Sequence, residues 1–342
     1  MDANRKNLEI LRTAYTMSLQ AGLDNPETDY LANACTDVGT RRSKIGIVDL
    51  LNYIPDYKKL DGERTFRKYE KKVHTFEKCR FGDAVKVAYD DILCDNTNAY
   101  MPMVQNLGSC WANFKSQVKL QMLMSNEVDP DEGFSAETIT GKPFFAADHK
   151  MLSGTITNCI NDPLTRETWE EIKIMVAKWD LAGGESTVLG AKRVCPNFTH
   201  VLVSPELCSA AFEIFGQEHL ITAGVAVRNK HYNAVEIIEV KEWAGTEFSD
   251  TYIFLDLSKS LKPFIMEDLD PFAVMMETDP VKVRKALNME ICADGAFGAA
   301  MTLPTLGFAG KHPNCDPDAK KVAAKTAAKT AAKTAPKKTA NA

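Results

Sequence analysis

The chain has 342 residues, 45% of them hydrophobic and 25% charged, the proportions of an ordinary globular protein large enough for two domains. No apolar run nears the roughly 18 residues of a membrane-spanning helix, and the opening Met1-Asp2-Ala3-Asn4-Arg5-Lys6 has no signal-peptide core, so an origin in the cytoplasm is expected. The net charge of −5 hides an asymmetry: seven lysines and no acid stand from Lys320 onward, which leaves −12 on residues 1–319. Nine cysteines are scattered singly with no CxxC pair, which argues against a disulfide framework and against a zinc site.

Residues 2–22 read as an amphipathic helix with Leu8, Leu11, Tyr15 and Leu19 on one face and Gly22 as its stop. Whether that face docks on its own core or on a neighbour is left open by the sequence. Between Ile45 and Tyr89, short apolar runs are broken by turn residues. Ile45-Gly46-Ile47-Val48 leads in, Asp61-Gly62 is a turn candidate, and Phe81 to Ala88 returns as a strand. Within it, residues 58–80 hold nine Lys and Arg against Asp61, Glu63, Glu70 and Glu77. Such a run is either a solvated face or an arm lying on an acidic partner surface.

A long helix is expected over about 97–124, with Asn96-Thr97 as cap and Pro102 in its first turn. Met103, Leu107, Cys110, Trp111, Phe114, Val118 and Met122 form its apolar stripe. At 1.5 Å per residue it would run to about 40 Å, a spine longer than a domain of this size needs. The acidic stretch Asn126 to Gly133 falls short of a calcium loop, because Thr140 stands where the twelfth-position glutamate is required.

A second helix spans 165–180, with Thr168 and Glu171 as a capping box and Trp169, Ile172, Val176 and Trp179 on one face. His200-Val201-Leu202-Val203 is a buried-type strand. Ser204 then caps a helix with Pro205 at its first position, and Gly216 closes it. Strands follow at 234–240, 252–257, 264–277 and 283–292, with Asp279-Pro280 as a break. Strands mixed with helices in this order make an α+β protein. Beyond Asp316 the composition collapses to Ala, Lys, Thr and Pro, which can bury no core.

Chemical motifs are few. Gln105 with Gly108-Ser109-Cys110-Trp111 resembles the nucleophile segment of papain-like cysteine peptidases, with His231 as the base. Cys110 falls deep inside the expected helix, however, and no Asn-Ser-Trp-Gly segment follows, so a buried structural cysteine is the preferred reading. Asp148-His149 has no second ligand at metal spacing, and His149 is expected to be a structural loop residue. Gly183-Gly184 lacks the lysine of a phosphate loop. No catalytic residue, metal or cofactor is assigned.

Several stretches, in order, resemble one family, the major head (capsid) subunit of Mu-like tailed bacteriophages. They are Gly39 to Ser43, Gly62 to Thr65, Phe81 to Val87 with Asp90-Asp91 and Asp95-Asn96, Gly141 to Phe145 with Asp148-His149, Pro196 to Pro205, and Leu255 to Ile265. The resemblance spans roughly residues 35–305 and implies the Hong Kong-type phage capsid fold. In that fold 1–44 is an N-terminal arm and 45–90 an extended loop. Residues 91–165 with 259–298 form a peripheral domain around the spine helix. Residues 166–258 with 299–315 form an axial domain, and 316–342 is a tail outside the family pattern.

The function implied is a non-enzymatic shell protein that assembles with itself, as pentamers and hexamers, into an icosahedral head around double-stranded DNA. Scaffold, maturation protease and portal proteins are expected partners, and the virion, assembled in the host cytoplasm, the expected location. Lys58, Lys59, Arg64, Arg67, Lys68, Lys71 and Lys72 of the extended loop are the expected subunit-interface residues. Lys320, Lys321, Lys325, Lys329, Lys333, Lys337 and Lys338 are the expected DNA contacts. The alternatives are a cysteine peptidase built on Cys110 and His231, or a basic-tailed nucleic-acid-binding protein outside any shell.

Overall fold

A computed structural model describes residues 2–24, 31–51, 71–93, 100–125, 134–151, 155–179, 196–222, 225–276 and 279–315. They form two compact units. One is built from the described parts of 1–51, 69–141 and 260–302, the other from those of 142–259 and 303–315.

The first unit opens with α1 (Asp2–Leu23). Tyr15 and Leu19 are buried in this unit's own cluster with Val104, Met289 and Ile291, so the helix covers its own core. Strands β1 (Cys35–Thr40) and β2 (Ile45–Leu51) follow. The antiparallel partner of β2 is β3 (Lys71–Glu77), a strand the sequence reading passed over. The expected return strand is β4 (Cys79–Ala88), which pairs elsewhere.

After α2 (Tyr89–Leu93) comes α3 (Met101–Ser125), the expected spine, with Pro102 in its first turn. Its expected cap at 96–97 and the acidic stretch 126–133 lie outside the described residues. Trp111, Val118 and Met122 are buried as the stripe requires, but Met103 is 48% exposed and Cys110 is exposed, so the stripe is corrected at both. The buried face is broader than one stripe, adding Val104, Gly108, Leu120 and Leu123. A helix covered from more than one side does not show a single narrow stripe. The short β5 (Phe134–Ser135) ends this part.

The second unit begins with β6 (His149–Lys150), β7 (Thr155–Ile156) and β8 (Cys159–Ile160). Next is α4 (Arg166–Ala177), where the expected capping box is corrected. Thr165 is the cap and accepts from the Thr168 backbone N–H at 3.1 Å. The face holding Trp169, Ile172, Val176 and Trp179 is buried as expected. Strand β9 (His200–Val203) leads through the Ser204 cap into α5 (Pro205–Ala211), and a π-helical turn runs on to Gly216. Then come the hairpin β10 (His219–Thr222) and β11 (Val225–Arg228), then β12 (Glu236–Glu239) and β13 (Tyr252–Leu255).

The chain re-enters the first unit with β14 (Phe264–Met276). The expected strand at 283–292 is corrected to α6 (Pro280–Ala286) followed by β15 (Asn288–Met301). Asp279-Pro280 is a helix start: the Asp279 carboxylate accepts from Val281 N at 2.9 Å, and proline sits at the first position, where no N–H is needed. Strand β16 (Gly307–Gly310) completes the second unit.

The first unit's main sheet has the order β1-β14-β15-β4, with β5 parallel to β15. The second unit's sheet has the order β12-β9-β13-β16-β8, and Trp169 and Phe215 pack against Phe254 of its central strand β13 in one cluster.

Candidate assembly site

The hairpin of β2 and β3 is held to the main sheet of the first unit at one root. Phe76 is 4% exposed and packs on Ile265 and Ala300. Two glycines make room for its ring, since a Cβ at Gly46 or Gly298 would lie 2.4 or 2.8 Å from it. Beside it Lys78 is wholly buried. Its Nζ is 3.3 Å from Glu267 Oε1 on β14 and donates to Arg41 O at 3.0 Å. Such a pair is retained only where both charges are matched, because each alone would be costly to bury. The outer face of the hairpin carries Ile45, Ile47 and Val73, 49%, 45% and 54% exposed. Cross-strand register puts them on one side, opposite Glu77, Thr75 and Asp49 in turn.

Strand β14 presents a row of acids beyond this root, and each meets a cation from a different element. Glu267 faces Lys78, Asp268 lies 3.3 Å from Lys115 of α3, and Asp270 lies 2.6 Å from Arg80 of β4. Arg80 also donates to Asp294 of β15, and these two carboxylates, Asp294 foremost, raise the guanidinium's already high pKa.

Between α3 and the sheet lies an aromatic group. Phe81, Phe114 and Phe297 sit with centroids 5.1 to 5.9 Å apart, and Trp111 stacks on Phe272 at 4.4 Å. Four of these rings, Phe81, Trp111, Phe114 and Phe272, border a cavity of about 450 Å³.

Of the expected interface residues, Lys58, Lys59, Arg64, Arg67 and Lys68 lie outside the described residues. Lys71 and Lys72 are on β3, opposite Leu51 and Leu50. The tail lysines, Lys320 to Lys338, also lie outside the described residues, as do Gly183 and Gly184. The signals that sequence reading missed are the buried Lys78 and Glu267. Both sit in charged stretches, and nothing local distinguishes a buried lysine from its exposed neighbours.

The two residues of the expected peptidase pair belong to different units. Cys110 belongs to the first unit, is exposed rather than buried, and lines the aromatic cavity, where no histidine takes part. His231 belongs to the second unit and is held by Glu170 Oε1 at 3.2 Å and by Asn229 Oδ1, which accepts its backbone N–H at 3.0 Å. Burial lowers its pKa first, with Lys173 adding to that. A thiol activated for attack needs a base within hydrogen-bond reach, and Cys110 has no such neighbour among the residues lining its cavity.

His149 is a core residue. It is fully buried, its Nε2–H donates to Phe144 O at 3.2 Å, and burial lowers its pKa to about 4. Asn158 donates to the same carbonyl at 2.6 Å and to Pro304 O at 2.9 Å. The Phe144-Phe145…Asp148-His149 segment is thus structural, as the resemblance implies. Among the described residues no group of His, Cys, Asp and Glu could hold a metal ion, and no helix is long and apolar enough to cross a membrane.

No curated protein sequence matches the chain. Among solved structures, the procapsid of bacteriophage JBD30 is similar with 15% identity over 92% of this chain and 78% of that one, TM-score 0.48. The mature capsid of bacteriophage PhiM1 matches with 13% identity over 84% and 88%, TM-score 0.48. The capsid of an empty GTA particle matches with 8% identity over 83% and 89%, TM-score 0.51, which gives the fold as the Hong Kong-type capsid fold. Residues 8–175, from α1 to the last turns of α4, match the model of the Mu-like prophage major head subunit gpT. Over that stretch, just under half of its length, the chain is similar to the Mu-like major head subunits, the capsid proteins of a phage head shell.

Proposed function

We propose that the chain assembles with itself, as pentamers and hexamers, into an icosahedral shell around double-stranded DNA, without enzymatic activity of its own. The first unit serves as the peripheral domain and the second as the axial domain. The hairpin of β2 and β3, continued by the basic residues 58–72, reaches onto the acidic body of a neighbouring subunit. The tail lysines face inward onto packaged DNA, which offers counterions to release and needs no base reading. Scaffold, maturation protease and portal proteins are the further partners, and the virion, built in the host cytoplasm, is the location.

The observation that carries this reading is the hairpin root. Phe76 and the Lys78–Glu267 pair hold it to the sheet, while Ile45, Ile47 and Val73 stand bare on its outer face. An anchored element with an unpartnered apolar face is suited to a contact between chains. Negative-stain microscopy of the expressed protein tests it. Shells, tubes or capsomers are expected, and monomers alone at every concentration and salt level would overturn it. The peptidase alternative predicts peptide hydrolysis that Cys110→Ser abolishes, whereas the shell reading expects no such activity in the parent.

A further inference from the structure

The cavity of about 450 Å³ in the first unit is walled by Phe81, Leu107, Cys110, Trp111, Phe114 and Phe272. It falls within the size range of ligand pockets, roughly 300–1,000 Å³, and has their apolar lining. Two charged residues, Arg80 and Asp83, stand at its border. Arg80 is already engaged by Asp294 and Asp270. Asp83 is exposed and accepts the neighbouring Ala84 N–H at 2.8 Å, and among the described residues no cation is paired with it. A hollow lined by rings with an anionic edge selects a flat apolar side chain carried beside a cation.

We infer that this hollow receives Phe66 of a second copy of the chain, with Arg67 and Lys68 beside Asp83. The inference rests on the self-assembly reading above and names the surface on which its hairpin lands. Two long segments with clustered lysines or arginines lie outside the described residues, 52–70 and 316–342. The tail contains no aromatic residue, whereas 52–70 contains Tyr53, Tyr57, Phe66 and Tyr69. Of these four, Phe66 alone brings no hydroxyl that an apolar hollow would leave unpaired. Like Tyr57, which precedes Lys58-Lys59, it is followed directly by two cations, in Thr65-Phe66-Arg67-Lys68. Chain length permits the reach: at about 3.3 Å per residue, a segment of this length going out and back extends about 30 Å from its root. Charge favours this chain's own acidic body as the host, because residues 1–319 carry −12 and Arg64, Arg67 and Lys68 cluster around Phe66.

Cys110 is a built-in reporter, since it is exposed and lines the hollow. Its alkylation by N-ethylmaleimide is followed by peptide mass spectrometry in dilute subunits and in assembled particles of the full chain. At least tenfold slower labelling in particles is expected, and in any particles formed by Phe66→Ala the rate should return to that of subunits. Cys110→Trp should fill the hollow from an exposed position, leaving the melting temperature of the subunit unchanged and assembly lost. Equal labelling in wild-type particles and subunits overturns the inference while leaving self-assembly intact. Slow labelling already present in dilute subunits also overturns it, because the occupant would then be the chain itself. Normal particles from Cys110→Trp have the same consequence. If the wild-type chain forms no particles at all, the self-assembly reading fails instead, and the two failures are distinguishable.

Discussion

Lys78 Nζ lies 3.3 Å from Glu267 Oε1, with the two side chains 0% and 1% exposed. The lysine stands between β3 and β4 and the glutamate on β14, so the pair ties the hairpin root to the main sheet. Glu267 Oε1 also has Arg41 Nε at 3.6 Å but accepts no well-aligned hydrogen bond, so its partners hold it by charge. Lys78→Met should therefore strand a buried carboxylate and destabilise the fold by about 3–5 kcal/mol. Lys78→Met with Glu267→Leu should recover most of that, because the desolvation penalty leaves with both charges. Urea denaturation of the two variants checks this. A single variant as stable as the parent would mean that the pair does not anchor the root.

Gly22 of α1 and Gly108 of α3 let two helix backbones meet. A Cβ at Gly22 would lie 2.1 Å from Gln105 O, and one at Gly108 would lie 2.4 Å from Leu19 O. Alanine is the better helix former by about 1 kcal/mol, but backbone atoms cannot swing aside as side chains do. Overpacking of this kind costs about 1–3 kcal/mol. Gly108→Ala should consequently lower the melting temperature despite its helix propensity. An unchanged or raised value would show that the helices can separate at no cost.

His149 gives the second unit a pH dependence of defined sign. Burial lowers its pKa to about 4 in the fold, against 6.5 for an exposed imidazole. The unfolded chain therefore binds the proton first. The contribution is fully present above about pH 6.5 and is lost progressively down to about pH 4, on the order of 3 kcal/mol in all. Denaturation at pH 7, 5.5 and 4.5 should show stability falling over this window. His149→Gln should start lower and fall less, and an equal slope in the two proteins would assign the titration to other groups.

Reversing Arg64, Arg67 and Lys68 to Glu should leave the subunit folded and block assembly. Exposed charges contribute little within one chain, whereas at a basic-on-acidic contact they change sign where it matters. Raising salt should slow assembly of the parent, since the Debye length shrinks to about 3 Å at 1 M. Normal shells from the triple variant, seen by negative stain, would remove the electrostatic contact.

The tail is tested by protease access. Its lysines recur every four residues at Lys325, Lys329 and Lys333, a spacing at which like charges oppose a helix in water and a polyanion relieves them. Trypsin should remove the tail from free subunits and leave it in filled heads. Rapid removal from intact heads would place it outside.

What the sequence by itself determined is what near neighbours in the chain decide. The spine α3, the strand–cap–proline–helix run from His200 through Ser204 and Pro205, and the buried face of α4 were legible, because periodicity and capping are local. The ordered family motifs also identified the shell protein, and Phe144 to His149 proved structural as they implied. Where local signals were ambiguous the reading failed: Asp279-Pro280 marks a strand break as readily as a helix start, and only the pairing of β15 along β14 and β4 decides. Gly22 does stand at the end of α1, one residue before its last, as a stop should. Its place opposite Gln105 exists only once α1 and α3 cross. Cys110 on the apolar stripe proved exposed, and Lys78 in a basic run proved buried, because exposure is set by what a distant segment brings alongside. The hairpin root and the aromatic cavity are both of this kind. Each joins residues far apart in the chain, held by burial and charge matching that no stretch of sequence carries alone.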